Sequence, residues 1–149
     1  MITIVRTNAD NLDFINLIQA LDIDIALRDG EEHTFYAQFN KTDDIKNVIV
    51  LYENETAIGC GAFKIYKDKI AEIKRMYVAH EGRGKGIATQ ILVDLQQWAT
   101  EHHFTSCILE TGKKYPEAIA LYLKNGFTIT ANYGQYIGID DSICFHKYI

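Results

Sequence analysis

Residues 76–92 read MYVAHEGRGKGIATQIL. A hydrophobic strand ending Met76-Tyr77-Val78 runs through a loop holding Gly82, Gly84 and Gly86 into a segment whose apolar residues Ile87, Ile91, Leu92, Leu95 and Ala99 recur with helical period. Glycines at such a junction permit backbone angles closed to other residues. They also let a ligand approach the main chain and leave the first N–H groups of the helix unobstructed. Together with the positive end of the helix and the flanking Arg83 and Lys85, the loop suits a phosphate or pyrophosphate. Two nucleotide motifs fail by spelling. The P-loop needs Ser or Thr where Gly86 follows Lys85, and a dinucleotide fingerprint through Gly84 and Gly86 needs Gly or Ala where Thr89 stands.

Upstream of this junction, NVIVLYE, TAIGCGAFKIY and KIAEIKRMYV are separated by the turns Asn54-Glu55 and Lys67-Asp68, which predicts an antiparallel meander. Strict alternation in the third segment would put Glu72, Lys74, Met76 and Val78 on one face and Ala71, Ile73, Arg75 and Tyr77 on the other, mixing charge and apolar groups on both. A bulge that reverses parity would separate them. Further upstream, residues 2–6 predict a strand, and Phe14, Leu17, Ile18 and Leu21 predict a helix capped by Asn8 or Asp10 and broken near Arg28-Asp29-Gly30. The segment HTFYAQFN then places Phe35, Tyr36 and Phe39 at helical spacing.

Downstream, the helix from Gly86 to His102 carries Asp94, Gln96 and Gln97 opposite its apolar stripe, and residues 105–111 (TSCILET) predict a strand. A second helix opens at Pro116, shows Ile119, Tyr122 and Leu123 on one face, and stops at Asn125-Gly126. Short β segments near 127–130 and 142–148 close the chain. The order βααβββαβαββ predicts an α+β domain over residues 1–149, with a single mixed, mostly antiparallel sheet flanked by helices.

Composition agrees with one globular domain: 149 residues, 48% hydrophobic and 23% charged. Cys60, Cys107 and Cys144 lie far apart, so reduced thiols are expected rather than a disulfide framework or a zinc site, and no metal is expected. No charged-then-apolar leader and no apolar run of membrane-spanning length is present, which predicts a cytoplasmic location away from membranes. The net charge of -5 discourages nucleic-acid binding but divides unevenly. Residues 1–60 hold 11 acids against 4 bases, and residues 61–149 hold 9 acids against 11 bases. The positive half is densest from Lys64 to Lys85 and runs into the glycine loop. In the acidic half, Asp29, Glu31 and Glu32 are candidates for attracting a cationic amine.

In RGKGIA, Arg83, Gly86 and Ala88 match Arg/Gln-x-x-Gly-x-Gly/Ala, and residues 118–127 (AIALYLKNGF) are similar to A-x-x-L-Y-x-x-x-G-F. Both motifs, in this order and on these elements, resemble the GNAT superfamily of acyl-CoA-dependent N-acetyltransferases. The resemblance implies the GNAT acyltransferase fold and acetyl-CoA as acetyl donor. Its pyrophosphate would lie on Arg83, Gly84, Lys85, Gly86, Ile87 and Ala88, and its pantetheine along Met76, Tyr77 and Val78, the Val78 N–H polarising the thioester. It also implies Glu72 as general base and Tyr122 as general acid, with ion pairing to Lys74 or Lys64 and aromatic gap-filling as their structural alternatives. Tyr115 stands where the family often carries Asn.

Glu31, Phe35, Tyr36, Tyr133 and Tyr136 are candidates for the acceptor pocket, where Phe39 would join them. The implied reaction moves acetyl directly to a primary amine of a small molecule, an amino acid or similar, without an acyl-enzyme. A non-catalytic acyl-CoA sensor and a protein or peptide N-acetyltransferase are the alternatives, and a homodimer fits the family's habits.

Overall fold

The computed structural model describes residues 1–30, 42 and 44–149. Seven strands form one sheet in the order β1-β2-β3-β4-β5-β7-β6, with β1 Ile2–Thr7, β2 Asn47–Glu53, β3 Thr56–Lys67, β4 Ile70–Val78, β5 Ser106–Gly112, β6 Thr128–Thr130 and β7 Ser142–Tyr148. Among the described residues the helices are α1 Leu12–Asp29, α2 Ile87–Glu101 and α3 Pro116–Lys124. Neighbouring strands pair antiparallel except β4 with β5, so the sheet is mixed and mostly antiparallel, as the element order predicts. The aromatic segment 33–40 lies outside the described residues.

The alternation of β2 sorts the core into two layers. Val48 and Val50 meet Phe14 and Leu17 of α1, whereas Ile49 and Leu51 meet the face shared by α2, Phe127 and Phe145. The α2 stripe Ile87, Ile91, Leu92, Leu95 and Ala99 is buried throughout, each large side chain contributing about 1.5–3 kcal/mol of transfer free energy. Gly61 of β3 makes that contact possible, because a Cβ there would lie 2.5 Å from Met76 Sδ and 2.8 Å from Ile91.

Local details depart from the sequence expectations. The α1 cap is Asn11, whose side chain accepts from the Phe14 N–H, while Asn8 accepts from the Asp10 N–H in the preceding turn. Gln96 belongs to the buried side of α2 because its amide donates to the Leu92 carbonyl. On α3, Leu123 faces outward and Leu121 packs on the core.

The parity break required by β4 is present. Cys60 pairs with Tyr77 and Ala62 with Lys74, so Gly61 faces both Arg75 and Met76. Before the bulge Ala71 and Ile73 face the α2 layer; after it Met76 and Val78 do, and Tyr77 joins the α1 layer. Arg75 takes the extra position at φ 58°, a left-handed conformation costing a non-glycine residue about 1–2 kcal/mol. Its buried guanidinium offsets this by donating to Asp22 Oδ1 at 2.6 Å and to the Ile18 carbonyl at 3.3 Å, tying the bulge to α1. Pairing of β4 with β5 stops at Glu72 with Ile108, so the two strands splay beyond that point.

Candidate active site

Two clefts open along the splay. The larger, about 440 Å³, runs over Met76–Val78 and the glycine loop to α3 and the inner side of α1. The narrower, about 190 Å³, lies among Glu72, Lys74, Glu110, Asp29 and Tyr136. They share Leu21, Ile25, Met76, Tyr115, Ala118 and Tyr122.

Main-chain groups build the larger cleft. Gly84 and Gly86 hold φ 78° and 75°, and Gly86 caps α2 without any side-chain bond, leaving the first helical amides to a ligand. Ala79 N donates to the Ile58 carbonyl, so the next pair, Val78 with Gly59, is of the non-hydrogen-bonded type. The Val78 amide therefore turns away from β3 into the gap left by β5. Gly84, Gly86, Ile87 and Ala88 line this cleft.

The two cations of the loop are already engaged with the protein. Arg83 lines the cleft, but its Nε donates to the Val78 carbonyl at 2.9 Å and its other nitrogens reach His80 and Asp24. Lys85 turns to Glu53 at 3.3 Å and does not line the cleft. Arg83 thus braces the end of β4, while the N–H groups at the start of α2 have no side-chain cap.

Side chains from four elements build the narrower cleft. Tyr122 is 6% exposed between Phe127 and Phe145, and burial raises its hydroxyl pKa. That hydroxyl makes no hydrogen bond to a described residue. Glu72, 3% exposed, accepts from the Tyr133 hydroxyl at 2.6 Å and has Lys74 Nζ 3.9 Å from the same oxygen. Burial lowers the Lys74 pKa, and the nearby Glu72 opposes that shift.

Glu110 of β5 accepts from Ser142 at 2.7 Å, and burial pushes its carboxyl up to about 7. Tyr136 is buried and lines the narrower cleft, while Tyr133 reaches it through its bond to Glu72. Glu31, Phe35 and Tyr36 lie outside the described residues. Asp29, at the end of α1, accepts from the Tyr115 hydroxyl at 3.0 Å, and Arg28 stacks on the Tyr115 ring. Tyr115 is therefore the wall between the two clefts, in the position where the family often has Asn.

The family model for the Acetyltransferase (GNAT) family matches residues 14–127, a span containing β4, the glycine loop and Tyr122. This chain belongs to the GNAT acetyltransferases. The IAA acetyltransferase of Azospirillum brasilense is 31% identical over 91% of this chain and 90% of its own length. A crystal structure from Klebsiella pneumoniae, provisionally an acyl-CoA N-acyltransferase, superposes with TM-score 0.82 at 26% identity over 99% of this chain and 97% of that one. A GNAT acetyltransferase from Elizabethkingia anophelis, crystallised with acetyl-CoA bound, shares the fold at TM-score 0.72 and 21% identity, covering 99% of this chain and 98% of that one.

In this acetyltransferase the residue that sequence reasoning missed is Glu110. TSCILET reads as an ordinary buried strand ending in a charge, and no spacing within it marks the glutamate. Only the pairing of β5 with β7, which puts Glu110 opposite Cys144 and beside Ser142, brings it to the cleft.

Proposed function

We propose that this GNAT acetyltransferase moves the acetyl group of acetyl-CoA directly to a primary amine of a small molecule, an amino acid or similar, within a ternary complex. The observation that carries the reading is the meeting of a main-chain cleft and a titratable side-chain cleft at Met76 and Tyr122. The donor fits the first: a pyrophosphate on the uncapped start of α2, pantetheine along Met76–Val78, and the thioester oxygen on the outward Val78 N–H.

The acceptor amine fits the second cleft, and Glu110 is the base. With a pKa of about 7 it is ionised for much of the time near neutrality and still basic enough to take an ammonium proton. Glu72 is the other candidate, but the Tyr133 and Lys74 contacts on its Oε2 suit a charge that holds neighbours in place. As the amine attacks, the C–N bond forms and the C–S bond breaks. Tyr122, a phenol kept protonated by burial, supplies the proton to the departing thiolate. The three cysteines are buried, with Cys60 and Cys107 pushed up to about 12 and Cys144 to about 11, which suits direct transfer better than a thioester on the enzyme.

Calorimetric titration with acetyl-CoA tests the donor, with saturable heat expected and a flat titration overturning it. A panel of small amines assayed by free thiol release tests the acceptor. Turnover of at least one small primary amine is expected. Tight acetyl-CoA binding with no turnover on small amines or on peptides would favour a sensor, and turnover on peptides alone would favour a peptide acetyltransferase.

A further inference from the structure

The acceptor cleft already contains an amine. Lys74 projects from β4 into the cleft lined by Glu110, Met76 and Tyr122, and its side chain is 9% exposed. It stands two residues before Met76, where the two clefts meet. The bulge at Arg75 separates the two positions along β4, yet Lys74 lines the same cleft as Met76 and Tyr122, the two residues through which that cleft joins the other. From the geometry we propose that Lys74 is an internal acceptor, acetylated by the enzyme's own site when acetyl-CoA is bound and no small amine fills the cleft.

This proposal rests on the acetyl-CoA reading above. Its support is the company that Lys74 keeps. Removal from water disfavours the ammonium form and so raises the fraction of nucleophilic amine, as for other desolvated lysines. Glu72 is near enough to orient the amine, and Glu110 lines the same cleft. The step balances without any further reactant. Lys74 Nζ attacks the thioester carbon and its proton passes to Glu110; the C–N bond forms, the C–S bond breaks, and the coenzyme A thiolate takes the Tyr122 proton. Glu110 then returns a proton to Tyr122 through the cleft. The products are Nε-acetyl-Lys74 and free coenzyme A.

The reaction is self-limiting. The amide has lost the charge that faces Glu72 and occupies space meant for the acceptor, so acetyl-CoA without substrate would shut the site. A small amine in the cleft would protect it.

The experiment uses the purified full chain with isotopically labelled acetyl-CoA and no added amine, followed by peptide mass spectrometry over time. Exposed Lys67 serves as an internal gauge of non-enzymatic acetylation. The expected result is label on Lys74 at least about a hundredfold faster than on Lys67, falling to the Lys67 rate in Tyr122→Phe, because positioned acid–base groups supply at least that factor. Adding a turned-over amine from the panel should slow Lys74 labelling in proportion to its saturation. Labelling of Lys74 no faster than Lys67, or unchanged by Tyr122→Phe, overturns the proposal. Calorimetry on the same preparation separates the two levels: acetyl-CoA binding without Lys74 label refutes the internal acceptor alone, and no binding refutes the donor reading beneath it. The comparison of Lys74 with Lys67 is made on the unaltered chain, so the proposal can fail there without any variant having to fold.

Discussion

The two clefts, proposed for donor and acceptor, share a border but are made of different materials. The first is backbone: glycines at positive φ, an uncapped helix start, and an amide turned outward by strand pairing. The second is side chains: Glu72, Lys74, Glu110, Tyr122 and Tyr136, contributed by two strands, a helix and the loop before β7. Backbone dipoles do not titrate and change little on mutation, whereas clustered carboxylates and amines alter one another's protonation. Chemistry and pH dependence should therefore follow the acceptor side, and affinity for the donor should follow the loop.

The sharpest way to break this division is Tyr122→Phe. The loss of one oxygen should lower kcat by about a thousandfold, within the range of positioned proton donors, while the acetyl-CoA Kd from calorimetry moves less than about threefold. A large rise in Kd with little loss of kcat would move Tyr122 to the donor side.

Glu110→Gln should lower kcat/KM by about a hundredfold at pH 8 and abolish its rise through pH 7. The same change should stabilise the protein. The folded pKa lies above the ordinary value of 4.5, so the native state binds more protons than the unfolded chain between those values. Stability is therefore lost as pH rises from about 4.5 to about 7. Gln, which still accepts from Ser142, avoids that loss, so chemical denaturation should find the variant more stable by up to about 3 kcal/mol at pH 8 and equal to the parent below pH 4. Equal stability at both pH values would show that the carboxyl is not desolvated.

Gly86→Ala tests the other side. A Cβ there meets no atom within 4 Å, so the variant isolates backbone strain at φ 75°, about 1–2 kcal/mol. Acetyl-CoA should bind about tenfold more weakly while kcat at saturating donor stays within about twofold. A fall in kcat of more than tenfold would mean that the loop also orients the thioester.

The smallest effect belongs to Glu72→Gln. Gln can still accept from Tyr133, so kcat should change by less than about fivefold and the pH profile should keep its shape. A lost or shifted acidic limb would make Glu72 the base in place of Glu110.

The glycine loop and the start of α2 were legible because their signals are local. Gly84, Gly86 and the apolar stripe of α2 lie within one short stretch, and the conformations they require are properties of single residues and short spacings. A bulge in β4 was legible for a related reason, since Glu72 and Lys74 could not otherwise have been separated from Met76 and Val78; its place at Arg75 came only from the structure. Tyr122 could be read through its neighbours Leu121, Gly126 and Phe127, which fix a helix and its stop. The roles of Arg83 and Lys85 were not legible, since Asp24 and Glu53, which engage them, are distant in sequence.

The sequence by itself determined the succession of the described strands and α-helices, the glycine-led start of α2, and the family to which the chain belongs. Tertiary structure alone decided which charges share the acceptor cleft. Glu110 meets Ser142 through strand pairing, and Glu72 meets Tyr133 through a loop returning from the far end of the chain. Local backbone preferences extend only a few residues along a sequence. The protonation of a carboxylate depends instead on what surrounds it in space, and for Glu110 those surroundings arise only when the sheet closes.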